Sequence, residues 1–230
     1  MVAVIEPNSI TPTVARTHNM DQLPRGRHSL SREEVTSSQR TRMMNAVAIV
    51  VAEKGYGDTV VENIVSVAGV SRKTFYEHFT DVQDCFLHAY SDFGDRIIKD
   101  VGQAVAATEP VGSAPMRAAY RTIFTVLNED REMARAFWLD AVSAGPGYAA
   151  TRQRIYGGFA DLLRVGYSRR REAEIELPEP IESAYSAAVG MVAEMVILAV
   201  LSGEDVDIDS MVEDAVSFTL AILQAQPLPA

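Results

Sequence analysis

Apolar residues recur along this chain at the 3.6-residue spacing of amphipathic helices, and no segment shows sustained strand alternation with hairpin turns. Met43, Ala46, Val47 and Val50 mark a first helix, with Thr36, Ser37 and Ser38 as N-cap candidates and Gly55 as its stop. Thr59-Val60-Val61-Glu62 reads as a capping box opening a short second helix that ends at Ala68-Gly69. Ser71 is placed to cap a third helix running through Phe79. Asp81 is placed to cap a fourth, with Phe86, Ala89 or Tyr90, Phe93, Ile97, Val101 and Ala104 on one face. Met116, Tyr120, Ile123, Phe124 and Leu127 fit a fifth helix. Met133, Ala136, Phe137 and Ala141 fit a sixth, broken by Gly145-Pro146-Gly147. Ile155, Phe159, Leu162, Leu163 and Gly166 fit a seventh. The polar stretch Arg169–Glu176, followed by Pro178 and Pro180, separates it from an eighth at about 181–201. Met211, Ala215, Phe218 and Ile222 mark a ninth, ending before Pro227. The predicted fold is all-α with about nine helices, and no internal repeat is evident.

The residues ahead of these helices, 1–34, are rich in Pro, Thr, Ser and Asn without an apolar period, and read as a disordered arm. Pro24-Arg25-Gly26-Arg27-His28 is a small basic cluster within it. It is either a solvated tail or an arm whose Arg25 and Arg27 enter a DNA minor groove. The net charge of −10 argues against nucleic acid until its distribution is considered. Residues 1–80 hold nine Lys/Arg against eight Asp/Glu, whereas residues 81–230 hold twelve against twenty-three. Any nucleic-acid contact is therefore local and belongs to the front end.

Residues 59–79 carry the most chemistry. Two short helices joined by Ala68-Gly69-Val70, with a glycine tolerant of positive φ at the bend, make a helix-turn-helix. Val61, Ile64, Val65, Ala68, Val70, Phe75 and Phe79 are its inward positions. Arg72, Lys73, Thr74, Tyr76, Glu77 and His78 form the outward side of its second helix, which at ~13 Å suits a major groove.

The run Gly55-Tyr56, Thr59, Ile64, Ala68-Gly69-Val70-Ser71, Thr74-Phe75-Tyr76, His78-Phe79 resembles the DNA-binding segment of TetR/AcrR-family transcriptional repressors. The resemblance covers roughly residues 37–82. It implies a homodimer, with a DNA-binding domain over 35–82 and an effector-binding and dimerisation domain over 83–226. It also implies double-stranded operator DNA as a partner. Arg72 and Lys73 are then base or phosphate contacts, Thr74 a backbone or base contact, and Tyr76 and His78 phosphate ligands. Thr59 lies near the backbone. Val60, Val65 and Val82 depart from the family pattern at two phosphate-contacting positions and one packing position. Arg40 and Arg42 on the first helix, with the Arg25/Arg27 arm, are the compensating cations.

In the second part of the chain, the segment from Ala187 to Leu201 is apolar except for Glu194. A helix apolar all round must be buried all round, against its own core and a second partner. With Val212, Val216, Phe218 and Leu220 of the ninth helix it suggests a two-fold four-helix interface, over about 181–201 and 208–225, as the family resemblance also implies. Trp138, Phe124, Tyr120, Tyr156 and Tyr185 are candidates to line a pocket for a small lipophilic effector, with Glu194 as its polar group. Arg169-Arg170-Arg171 reads as a solvated helix end.

Other classes find little support. No phosphate loop, G-x-S-x-G, H-E-x-x-H or metal-spaced cluster is present, so neither enzyme, metal nor cofactor is expected. The apolar run Ala187–Leu201 is shorter than a bilayer span, no targeting signal is visible, and the lone Cys85 fits a cytoplasmic protein. The expected function is a DNA-binding transcriptional repressor released from a pseudo-palindromic operator by its effector. The alternative is a helical ligand-binding or interaction protein of the same fold that has lost operator binding.

Overall fold

The computed structural model describes residues 31–109, 111–173 and 177–225. Among them every regular element is helical. Helix α1 (Arg32–Lys54) starts upstream of Thr36. Ser31 is its N-cap, accepting from Glu34 N at 3.2 Å while Glu34 Oε2 accepts from Ser31 N at 2.7 Å. The first turns of α1 are exposed and polar, so they carry no apolar period. Helix α2 (Val61–Ala68) does not use the Thr59 capping box. Thr59 is buried and its hydroxyl donates to the Gly55 carbonyl at 2.9 Å, while Asn63 Oδ1 accepts from Val60 N at 3.4 Å. Gly69 closes α2 in the left-handed region, at φ 64°. Helix α3 (Arg72–His78) is capped by Ser71 and α4 (Val82–Ala106) by Asp81, as the sequence indicates.

These caps set two short helices against α1. Their shared core is Met43, Val47, Ile64, Phe75 and Phe79, completed by Cys85 and Phe86 from the start of α4. We call α1–α3 the head. Helix α4 continues out of it into the body, where Phe93, Ile97 and Val101 face α5 (Ala114–Glu129) and α7 (Pro146–Ala173). Gly94 lies directly under Ile155 of α7: a Cβ there would stand 2.6–2.9 Å from three carbons of that side chain.

The sixth expected helix is three short pieces. Helix α6 (Arg131–Ala134) widens into a π-helical turn at Arg135–Leu139 and tightens into a 3-10 turn at Asp140–Ala144. Gly145, at φ 83°, ends this segment, and Pro146 opens α7 at once. A proline is well placed in a first turn because the missing N–H has no helical partner there. Helix α7 also runs through Arg169–Ala173, past the point where the sequence pattern ends it.

Helices α8 (Glu182–Ser202) and α9 (Ile208–Leu223) close the body. One expectation changes here, in α9. Helix α8 buries one face against the chain's own core and leaves the other exposed, as expected for a helix with a second partner. Ala184, Tyr185, Ala188, Val192 and Val196 pack inward, while Ala187, Glu194, Leu198 and Leu201 are exposed. The 21-residue helix exceeds its continuous apolar run and is long and apolar enough by composition to cross a membrane, with 33% of its most apolar window buried. Helix α9 is rotated from the expected register. Val212, Ala215, Val216, Thr219 and Leu223 face the core, and Phe218 is 52% exposed. Thr219 is the cause: its hydroxyl lies 2.6 Å from the Tyr120 hydroxyl, so a polar residue occupies a core position that an apolar count passes over.

Candidate DNA-binding face and ligand cavities

The head presents α3 outward. Arg72, Lys73 and Tyr76 are exposed, and Thr74 and His78 are partly so. Arg72 is ion-paired with Glu62 of α2, and Lys73 Nζ lies 3.8 Å from Glu77. Such exposed pairs contribute little, about 0–1 kcal/mol, so both cations are available to exchange a carboxylate for a phosphate. The Thr74 hydroxyl is 2.9 Å from that of Ser71, and His78 Nε2 is 3.4 Å from Gln39 Oε1. Partial burial, then the charge of Arg40, lower the His78 pKa from its ordinary value.

The other expected contacts are arranged differently. Arg42 is half-buried and its Nη1 donates to the Ala68 carbonyl at 3.0 Å, where the end of α2 leaves backbone acceptors unpaired. The Arg40 guanidinium lies 4.6 Å over the Phe79 ring. Both cations thus hold the helix-turn-helix onto α1. Thr59 turns its hydroxyl inward to Gly55. Val60 is 49% exposed, and Val82 is partly buried against the core. Arg25 and Arg27 lie outside the described residues.

Two of the cavities in the body are lined by α7. The first lies between α4, α5 and α7. Val101, Met116, Ile123, Phe159 and Leu162 give it apolar walls. Tyr120 and Arg170 also line it. Burial pushes the Tyr120 hydroxyl up to about 12 against the lowering effect of its Thr219 partner, so it is a neutral phenol at pH 7. Arg170 falls on the same side of α7 as Leu163, Gly166 and Tyr167, all of which line the cavity. An arginine at apolar spacing was the available signal for this residue. Its neighbour Arg171 ties down the following segment through the Leu177 carbonyl, at 3.3 Å, and Glu179. The triplet is therefore not merely a solvated end.

The second is an open groove between the π-helical turn, the first half of α7 and α8. Trp138, Tyr148, Arg152, Gln153, Tyr156 and Ser186 line it. The sequence-based pocket candidates divide between these places. Tyr120 is in the first cavity; Trp138 and Tyr156 are in the groove. Phe124 is fully buried core, Tyr185 is buried beneath the Arg164 guanidinium, and Glu194 is exposed on α8. Phe124 and Tyr185 line neither space, because apolar spacing alone does not distinguish a core position from a cavity wall.

A helix-turn-helix with an exposed basic helix, carried by an all-helical body, matches known proteins. Residues 45–89 fit the model of bacterial regulatory proteins of the tetR family. The chain is 26% identical, over 83% of its own length and 85% of the other's, to the HTH-type transcriptional activator FasR of Mycolicibacterium smegmatis. Residues 45–89 thus form a DNA-binding domain of the tetR type. Its fold resembles the fatty acid degradation regulator FadR of Bacillus halodurans, with a TM-score of 0.72 at 19% identity, covering 82% of this chain and 97% of that one. It also resembles FadR of Bacillus subtilis, solved in complex with stearoyl-CoA, with a TM-score of 0.70 at 18% identity over 78% and 97% of the two chains. The chain is thus a DNA-binding transcriptional regulator of all-α fold, and α3 is the second helix of its helix-turn-helix.

Proposed function

We propose that this regulator is a cytoplasmic repressor that binds a pseudo-palindromic operator as a homodimer and is released by a ligand with an extended acyl chain. The apolar cavity between α4, α5 and α7, with Arg170 in its wall, carries this reading. Apolar walls suit a hydrocarbon chain, and a guanidinium suits an anionic headgroup. The stearoyl-CoA complex of one structural relative supports the same ligand class. The exposed apolar side chains Ala187, Leu198 and Leu201 of α8 and Phe218 of α9 support pairing through these two helices. Arg72, Lys73, Thr74, Tyr76 and His78 are the operator contacts in this reading, within a DNA-binding unit of residues 35–82. The effector-binding and dimerisation unit is residues 83–226. Repression follows where the operator overlaps a promoter; one relative is named an activator.

Selection of sites from random duplex DNA is expected to yield a two-fold symmetric motif, and stearoyl-CoA to weaken binding to it. Ala119→Leu, which fills the cavity wall, is expected to abolish the stearoyl-CoA response while leaving operator affinity intact. Arg72→Ala is expected to cost ~1–3 kcal/mol and relax preference at one or two positions. Recovery of no motif in the absence of ligand, with dimers present, would reject the repressor reading in favour of a binding protein.

A further inference from the structure

The groove beside the π-helical turn is separate from the acyl cavity in composition and in place. It is lined from the N-terminal half of α7, whereas the cavity is lined from the C-terminal half. Its walls are aromatic and ordered. Tyr148 stacks on Tyr90, with centroids 5.8 Å apart and planes at 22°, and Tyr90 stacks in turn on Phe137 at 5.7 Å. Trp138 meets Phe93 edge-on at 5.4 Å. The Arg152 guanidinium lies 4.0 Å over the Tyr156 ring.

Arg152 is the unusual member. It is half-buried, and no carboxylate among the described residues lies within ion-pairing distance of it. Burial raises the Tyr156 pKa, and the charge of Arg152 and its side-chain hydrogen bond to Tyr156 oppose it. A guanidinium held over an aromatic ring, with no acid paired to it, is prepared for a planar anion. Gln153 and Ser186 add hydrogen-bonding groups on opposite sides. The widened turn that carries Phe137, Trp138 and Leu139 belongs to a class of helical irregularity frequently found at functional sites.

We propose that this groove is a second small-molecule site and that its ligand is a planar aromatic ring bearing an anionic group. The ring stacks against the Trp138, Tyr148 and Tyr156 wall, and the anion meets Arg152. This assignment stands whether or not an acyl chain occupies the other cavity.

Trp138 is the only tryptophan in the chain, so its fluorescence reports directly on the groove. The probes are cinnamate, its neutral analogue cinnamamide, and the non-aromatic anion cyclohexanepropanoate, titrated into the full-length protein. Cinnamate is expected to quench Trp138 saturably. Removing the charge or the aromaticity is expected to weaken binding about tenfold or more, the scale of one charge-assisted hydrogen bond. Arg152→Gln is expected to abolish the preference of cinnamate over cinnamamide. Gly190→Leu fills the groove from α8, at a position where a Cβ meets nothing within 4 Å, and is expected to abolish quenching with the melting transition intact. Ala119→Leu and prior saturation with stearoyl-CoA are expected to leave the cinnamate titration unchanged. No saturable quenching, equal binding of all three probes, or loss of the response in Ala119→Leu would overturn the proposal. The last result would place the probe in the acyl cavity. A groove closed by a second copy of the chain would show as no quenching and overturn it equally.

Discussion

The head and the body of this regulator solve the packing problem in opposite ways. The head is filled. Its α2 and α3 are short, Gly69 closes α2, and Phe75 and Ile64 are completely buried. Its half-buried cations are used within it: Arg42 on a helix end and Arg40 on a ring. The body is left open, with a groove along the first half of α7 and a cavity along the second. A DNA-reading surface needs a fixed shape, because base contacts tolerate little displacement. A sensor needs space and polar groups that are satisfied more than one way. The difference assigns rigidity to the head and ligand-dependent adjustment to the body.

The sharpest way to break this contrast is to open the head. Phe75→Ala is expected to cost about 3–5 kcal/mol, read by chemical denaturation, and to abolish operator binding. A loss confined to a fraction of that would show that the head is not close-packed. Next comes the division of labour among cations. Arg42→Met is expected to destabilise the protein by about 1.5–3 kcal/mol while leaving the salt dependence of operator binding unchanged. Lys73→Ala is expected to do the reverse, lowering the salt slope by about one with stability preserved. If Arg42→Met instead reduced the slope, its guanidinium would be reaching phosphate as well as Ala68.

Smaller effects test the body. Tyr120→Phe removes one half of a buried hydroxyl pair and is expected to cost about 1 kcal/mol in thermal unfolding, with a larger proportional effect on acyl-CoA affinity than on operator affinity. The smallest concerns pH. The folded head lowers the pKa of His78 below its ordinary value of 6.5, so the folded state binds fewer protons than the unfolded one. Its contribution is complete above that ordinary value and declines as pH falls through the lowered one. His78→Gln is expected to flatten this slope, an effect kept small because the ring is partly solvated.

The sequence displayed the head more fully than the body, for reasons visible in particular residues. Ser71, Asp81 and Gly69 act locally, and local chemistry is written in adjacent positions. The exceptions are where a local group was recruited from a distance. Thr59 bonds back to Gly55 and Arg42 reaches Ala68, so both left roles that their spacing suggested. In the body, the all-α class and the faces of α4 and α5 followed from periodicity. The register of α9 did not, because Thr219 is polar by type and buried by partnership with Tyr120, a residue far away in sequence. Nor did the π-helical turn, whose apolar residues keep near-helical spacing while the backbone widens. Cavity walls were the least legible. Phe124 and Tyr120 are one turn apart on α5, yet only Tyr120 faces open space.

The contact between Gly94 and Ile155 has a mechanical meaning. Most helix pairs meet through two layers of side chains, which can absorb a small displacement by changing rotamer. Here one layer is missing, and Ile155 rests against the α4 backbone itself. Ile155 sits on α7 between Arg152 and Tyr156, which wall the groove, and Phe159, which walls the cavity. The joint is consequently stiff at a point on α7 that lies between the two ligand spaces. Any movement of α7 there is passed to α4 with little slack.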